Sequence, residues 1–113
     1  MSKTNALLGK DSVLLREDEG SIATLTLNRP EKFNALSYEL MDLIQNQLDE
    51  LAADNLIRVV VVAANGSAFC TGHDLLEMYE DPSSLAMGAL FDQCSQIMIS
   101  LTQLPQPVIA KVQ

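Results

Sequence analysis

Apolar residues along the chain switch between a spacing of two and a spacing of three to four, and each switch predicts an element. Residues 13–16 read as a short strand, and Glu17-Asp18-Glu19-Gly20 as the polar turn of a hairpin. In residues 21–28 (SIATLTLN), Ala23, Leu25 and Leu27 share one face and Ile22, Thr24 and Thr26 the other, which predicts a second, antiparallel strand. Pro30 lacks an N–H for a ladder and stops it, and residues 31–36 form a loop. From an N-cap at Ser37 to about residue 55, Leu40, Ile44, Leu48 and Leu51 recur at helical spacing, flanked by Met41 and Ala52.

Residues 57–63 then carry four consecutive valines. A short β-branched run predicts a strand buried on both faces, as in a parallel sheet covered by helices. Asn65-Gly66-Ser67 is a turn, and residues 75–79 read as a short helix. After the break at residues 80–84, a longer helix runs to about Leu104, with Met87, Leu90, Phe91, Cys94, Ile97, Met98 and Leu101 on its apolar stripe. Pro105-Gln106-Pro107 ends it, and residues 108–112 begin another strand. Residues 1–11 lack periodicity and read as a loose lead-in to a domain over 12–113. The order is ββαβ(loop)αβ, without an internal repeat. A strand that has barely begun at the last residue leads to the expectation that the chain is the front part of something longer.

Composition narrows the chemistry. At 113 residues the chain fits one domain. A hydrophobic fraction of 48% with 4% aromatics and no Trp puts the core on aliphatic side chains. The net charge of −8 has no compensating basic patch, which argues against nucleic acid and against an anionic membrane surface. No run approaches the ~18 apolar residues of a membrane helix. The two cysteines, Cys70 and Cys94, with the single histidine, His73, make no convincing zinc set. Without a signal-like or Arg-rich N-terminus, a reducing cytoplasm is the expected compartment.

Leu27-Asn28-Arg29-Pro30, Asn34-Ala35-Leu36, the long amphipathic helix, the valine run, Phe69-Cys70-Thr71-Gly72-His73-Asp74-Leu75 and Pro107-Val108-Ile109-Ala110 follow one another in the order and spacing of a family. The series resembles the enoyl-CoA hydratase/isomerase (crotonase) superfamily, over nearly all of the chain from about residue 12. The resemblance implies an α/β fold of the ClpP/crotonase type, a spiral of ββα units, of which this is the N-terminal half. It also implies an acyl-CoA thioester as substrate, coenzyme A being bound only as part of it, with no permanent cofactor and no metal. Full-length relatives imply a homo-oligomer, a trimer or a hexamer.

Members polarise the thioester carbonyl with two backbone N–H groups, an oxyanion hole. The first donor maps to His73. The loop containing Lys32, Phe33 and Ala35, with Thr71, Gly72, Asp74, Leu75 and Leu76, maps to the groove for the adenine and pantetheine of CoA. Lys32 and Arg29 are the cations nearest to its phosphates. Many hydratases have a lysine where this chain has Leu76. The second donor and the hydratase glutamates fall beyond Gln113.

Three sharper readings compete with plainer ones. The His73 imidazole could act as a general base, but the resemblance uses only its N–H. Cys70 with His73 could form a thiol–imidazole pair; the plainer reading packs Cys70 behind the turn. Glu77, Glu80 and Asp81 could supply an acid or base, or form a solvated helix end. The expectation is an acyl-CoA-processing enzyme, foremost an enoyl-CoA hydratase of fatty-acid metabolism. Isomerase, hydrolase and decarboxylase chemistries, a non-catalytic acyl-CoA-binding or interaction protein, and an inactive fragment are the alternatives.

Overall fold

The computed structural model describes residues 8–113, so most of the lead-in expected at residues 1–11 lies outside the described residues. Strands β1 (Leu14–Glu19), β2 (Ile22–Leu27), β3 (Val59–Ala64) and β4 (Val108–Ala110) form one sheet in the order β1-β2-β3-β4. The first pair is antiparallel, with Leu14 opposite Leu27 and Glu19 opposite Ile22. The β2–β3 and β3–β4 pairs are parallel, so each needs a crossover. Helix α1 (Tyr38–Ala52) makes the first, and α2 (Leu75–Glu80) and α3 (Ser84–Gln103) make the second.

Ser37 caps α1 by accepting from the Leu40 N–H at 3.1 Å. The helix buries Leu40, Met41, Leu48 and Leu51 on the sheet face that carries Ala23, Leu25 and Leu27. Helix α3 adds Leu90 and Ile97 to this core. Gln106, buried in the turn before β4, donates from Nε2 to the carbonyls of Leu51 (2.6 Å) and Ile57 (3.2 Å), tying the end of α1 to the entry of β3.

Three expectations change. The hairpin turn falls at Gly20–Ser21, not over residues 17–20, because the acidic residues continue β1. Among them Asp18 serves Arg16. Its guanidinium is almost wholly buried and bonds Asp18 at 2.8 and 2.9 Å and Gln47 at 3.2 Å, with Asp54 at 3.7 Å. Secondly, the valine run is not buried on both faces. Val60 is fully buried, but Val59 and Val61 are half-buried, because both long helices lie on the other side of the sheet. Thirdly, β4 is shorter than expected, and its Val108 and Ile109 are exposed.

The exposed Ile109 and the outward residues Phe91, Met98 and Ile99 of α3 leave apolar surface on an edge strand and a helix. The chain is therefore expected to self-associate as its concentration rises. Ile109→Lys should lower the mass seen by light scattering; an unchanged monomer for both proteins would refute the role of this edge.

Candidate functional site

Two loops leave the carboxyl ends of the adjacent parallel strands β2 and β3, where open α/β sheets place their ligands. They are joined side by side. The Asn65 N–H donates to the Leu27 carbonyl at 2.9 Å, and Asn65 Nδ2 donates to Asn28 Oδ1 at 3.0 Å. Gly66, at φ +94°, lies flat against Pro30: a Cβ there would come within 2.7 Å of the proline Cβ.

In the first loop, Pro30–Lys32 form a single 3-10 turn, and Phe33 and Asn34 follow at φ +53° and +56°. Two successive left-handed residues are costly, least so for Asn and more for a bulky Phe. The Asn34 side chain holds them. It is fully buried and uses its acceptor and both donors. Oδ1 accepts from the Arg29 N–H at 2.7 Å, and Nδ2 donates to the carbonyls of Asn65 and Ala68, each at 2.9 Å. One amide thus fixes the first loop to itself and to the second. The sequence placed Asn34 in a loop without reading its chemistry; an Asn at a chain reversal was the available signal.

The second loop then meets Leu36 in a one-residue parallel bridge. The Leu36 N–H donates to the Gly72 carbonyl at 2.7 Å, and its carbonyl accepts from the Asp74 N–H at 3.0 Å. In a parallel pairing the residue between those two partners turns its own N–H and C=O the other way. The His73 N–H therefore points away from Leu36, and it has no hydrogen-bond partner among the described residues. Gly72, at φ +90°, makes the turn that permits this.

Asp74 is the N-cap of α2. Its Oδ1 accepts from the N–H groups of Leu76 (3.1 Å) and Glu77 (3.3 Å), and its Oδ2 from Arg29 Nη2 (3.1 Å). Both side chains of the ion pair are only 13% exposed, so solvent screens the pair little. Burial pushes the carboxyl up, but the Glu77 N–H, the Arg29 bond and charge, and the Leu76 N–H together hold it below its ordinary value of 3.8. Arg29 also donates from Nη1 to the Ala35 carbonyl. Arg29 thus braces the two loops through its guanidinium while also lining the groove at their junction.

An open groove of about 710 Å³ runs along this junction. Lys32, Phe33, Ala35, Thr71, His73, Asp74, Leu75 and Leu76 all line it, while Gly72 shapes the turn without lining the groove. Phe33, Leu75 and Leu76 are 54%, 76% and 61% exposed. Thr71 contributes a long bond from its hydroxyl to the Phe33 carbonyl, 3.4 Å. Glu77 is occupied, accepting from the Tyr38 N–H at 2.8 Å, and Glu80 lines the groove exposed. Asp81 accepts from the Ser83 N–H at 3.4 Å beyond the end of α2.

The structure separates Cys70 from His73. Cys70 packs on the core side, where it lines an all-apolar cavity of about 150 Å³ with Cys94. Both cysteines are free. The His73 ring instead meets Phe91 of α3 edge-on, with centroids 5.9 Å apart, and its Nδ1 is buried without a hydrogen-bond partner among the described residues.

Comparison with solved structures places this arrangement in the crotonase class of α/β folds. An enoyl-CoA hydratase from Mycobacterium smegmatis superposes with a TM-score of 0.86 at 46% identity, over 88% of this chain and 39% of that one. Residues 22–113 match the sequence model described as enoyl-CoA hydratase/isomerase, and the chain belongs to that family. The mitochondrial enoyl-CoA hydratase domain-containing protein 3 of Danio rerio is 35% identical over 101 residues, 89% of this chain and 35% of its own length. The 1,2-epoxyphenylacetyl-CoA isomerase of Escherichia coli is 32% identical over 102 residues, 88% of this chain and 39% of its own. The chain thus spans well under half the length of the relatives it matches.

Two outcomes follow for the loop junction. Asn34→Ala strands three backbone groups and puts a Cβ-bearing residue without polar compensation at φ +56°, so it should cost on the order of 3 kcal/mol or more in denaturant unfolding. Asn34→Gly keeps the conformation and should recover about 1 kcal/mol of that loss; equal losses would assign the whole effect to the hydrogen bonds. Asp74→Asn tests the ion pair. The wild-type carboxyl is depressed in the folded state, so its contribution is complete above the ordinary 3.8 and disappears as pH falls through the lower folded value. The stability gap between wild type and Asp74→Asn should be full at neutral pH and close below pH 3.8; a gap that persists in acid would exclude charge as its source.

Proposed function

We propose that this chain supplies the thioester-binding and carbonyl-polarising part of an enoyl-CoA hydratase, which adds water reversibly across the C2=C3 bond of a 2-enoyl-CoA. The observation that carries the reading is the unpartnered His73 N–H beside a groove lined by Phe33, Leu75 and Leu76. As hydroxide equivalent joins C3, electron density moves through C2 to the thioester oxygen, and a proton on C2 completes the addition. A donor already aimed at that oxygen needs no reorganisation and can lower the barrier by about 3 kcal/mol. In this reading the His73 side chain is not the base.

A second reading is a non-catalytic acyl-CoA-binding protein of the same fold. It is favoured by the engagement of the groove's carboxylates: Asp74 is held by Arg29 and Glu77 by the Tyr38 N–H, leaving Glu31 and Glu80 exposed. Isomerase chemistry shares the enolate and the same donor. A homo-oligomer, trimeric or hexameric, in a reducing cytoplasm completes the proposal. The exposed apolar surface of α3 and β4 supports the first and the free thiols of Cys70 and Cys94 the second.

The test is the carbonyl itself. A 2-enoyl-CoA labelled with 13C at the thioester carbon should move its carbonyl resonance downfield on binding, and His73→Ala, which keeps the N–H, should preserve that shift. Binding without a shift would favour the binding protein, and no binding at all would sink both readings.

A further inference from the structure

The groove that the proposed function assigns to the thioester is poor in available positive charge. Among the described residues lining it, the cations are Arg29 and Lys32 and the acids are Glu31, Asp74, Glu77 and Glu80. Arg29 and Asp74 neutralise one another. What remains is Lys32 against three carboxylates, in a chain whose net charge is −8. The start of α2 adds nothing for an anion, because the Asp74 carboxylate already accepts its first N–H groups.

The same groove is rich in exposed apolar surface. Leu75 and Leu76 stand outward on α2. Phe33 is held outward by a left-handed backbone that a bulky residue adopts only under constraint, here the hydrogen bonds of Asn34. Apolar walls fit an amide-linked aliphatic arm or the face of a purine. Carboxylates with no ion-pair partner among the described residues repel phosphates, and more so at low ionic strength.

Resting on the thioester reading, we infer that the groove recognises its substrate through the neutral pantetheine arm and that the nucleotide phosphates contribute no net affinity. The substrate class is then any acyl-pantetheine thioester, of which the CoA ester is one.

The experiment compares S-butyryl-pantetheine, butyryl-dephospho-CoA and butyryl-CoA by calorimetric titration of the chain at low and at moderate salt. The expected result is three dissociation constants within about fivefold of one another at moderate salt. Binding of the CoA ester should strengthen, not weaken, as salt rises. A CoA ester bound more than about fivefold tighter than the pantetheine ester, with affinity falling as salt rises, would overturn the inference while leaving thioester binding intact. Failure of all three to bind would overturn the thioester reading and this inference with it. Leu76→Lys places a cation on a side chain already 61% exposed in the groove. It should give the CoA ester an advantage of about tenfold over the pantetheine ester; an unchanged ratio would show that charge does not set the preference.

Discussion

The site depends on one buried amide. Asn34 is the point at which the loop after β2 is closed on itself and fastened to the loop after β3. No other residue type serves all its requirements. The backbone needs a residue that accepts the left-handed region, which favours Gly, Asn and Asp. The partners need one acceptor and two donors in a single plane, which Gly lacks and Asp supplies only in part. With Asn34 in place, Leu36 is delivered to its bridge with Gly72 and Asp74, and the bridge in turn dictates where the His73 N–H points. The chain of consequence runs from a side chain that does not line the groove to a backbone donor in the other loop.

The sheet makes this junction possible by keeping its two sides different. Residues 23, 25 and 27 of β2 and Val60 of β3 face α1 and α3 and form a tightly buried aliphatic core. That core fixes the register of β2 against β3, with Leu27 opposite Ala64, so both strands end at the same level and release their loops together. Arg16 and Gln106 are polar members of the same framework. One draws Asp18, Gln47 and Asp54 around the base of α1; the other ties the exit of α1 to β3. Removing Gln106 would leave the buried carbonyls of Leu51 and Ile57 without that donor, and removing Arg16 would leave half-buried carboxylates without their cation, which costs more than the hydrogen bonds contribute when made.

Much of this was legible in the sequence because it is local. Period-two and period-four apolar spacing, Ser37 as a cap and Pro30 as a stop each act within a few residues, and the helices and strands lie close to where those signals place them. The failures are non-local. Glu17, Asp18 and Glu19 look like a turn until the buried Arg16 is known to need Asp18. The four valines look doubly buried until both helices are seen on one side. Arg29 and Lys32 are equivalent cations on paper. Only the pairing of residues 29 and 74, 45 positions apart, separates a guanidinium that braces the loops from an ammonium left in the groove. The turn Phe69-Cys70-Thr71-Gly72-His73-Asp74-Leu75 was legible as a motif, and so was the packing of Cys70 behind it; the contact of the His73 ring with Phe91, on a helix that follows it, was not.

The pairing of Arg29 with Asp74 also bears on the proposed chemistry. A backbone donor stabilises a developing oxyanion only as far as nearby charge permits, and the very next residue after His73 carries a carboxylate. Left alone, Asp74 would oppose negative charge on the thioester oxygen, the more strongly for being out of water. Removing it would release the first N–H groups of α2 and loosen the turn that aims the donor. Arg29 resolves the conflict: it lets Asp74 cap the helix while cancelling the carboxylate's charge beside the donor. The same guanidinium holds the Ala35 carbonyl, one residue before the bridge that turns the donor outward. Position and potential at the donor are thus set together by one arginine, so a substitution there would disturb both at once.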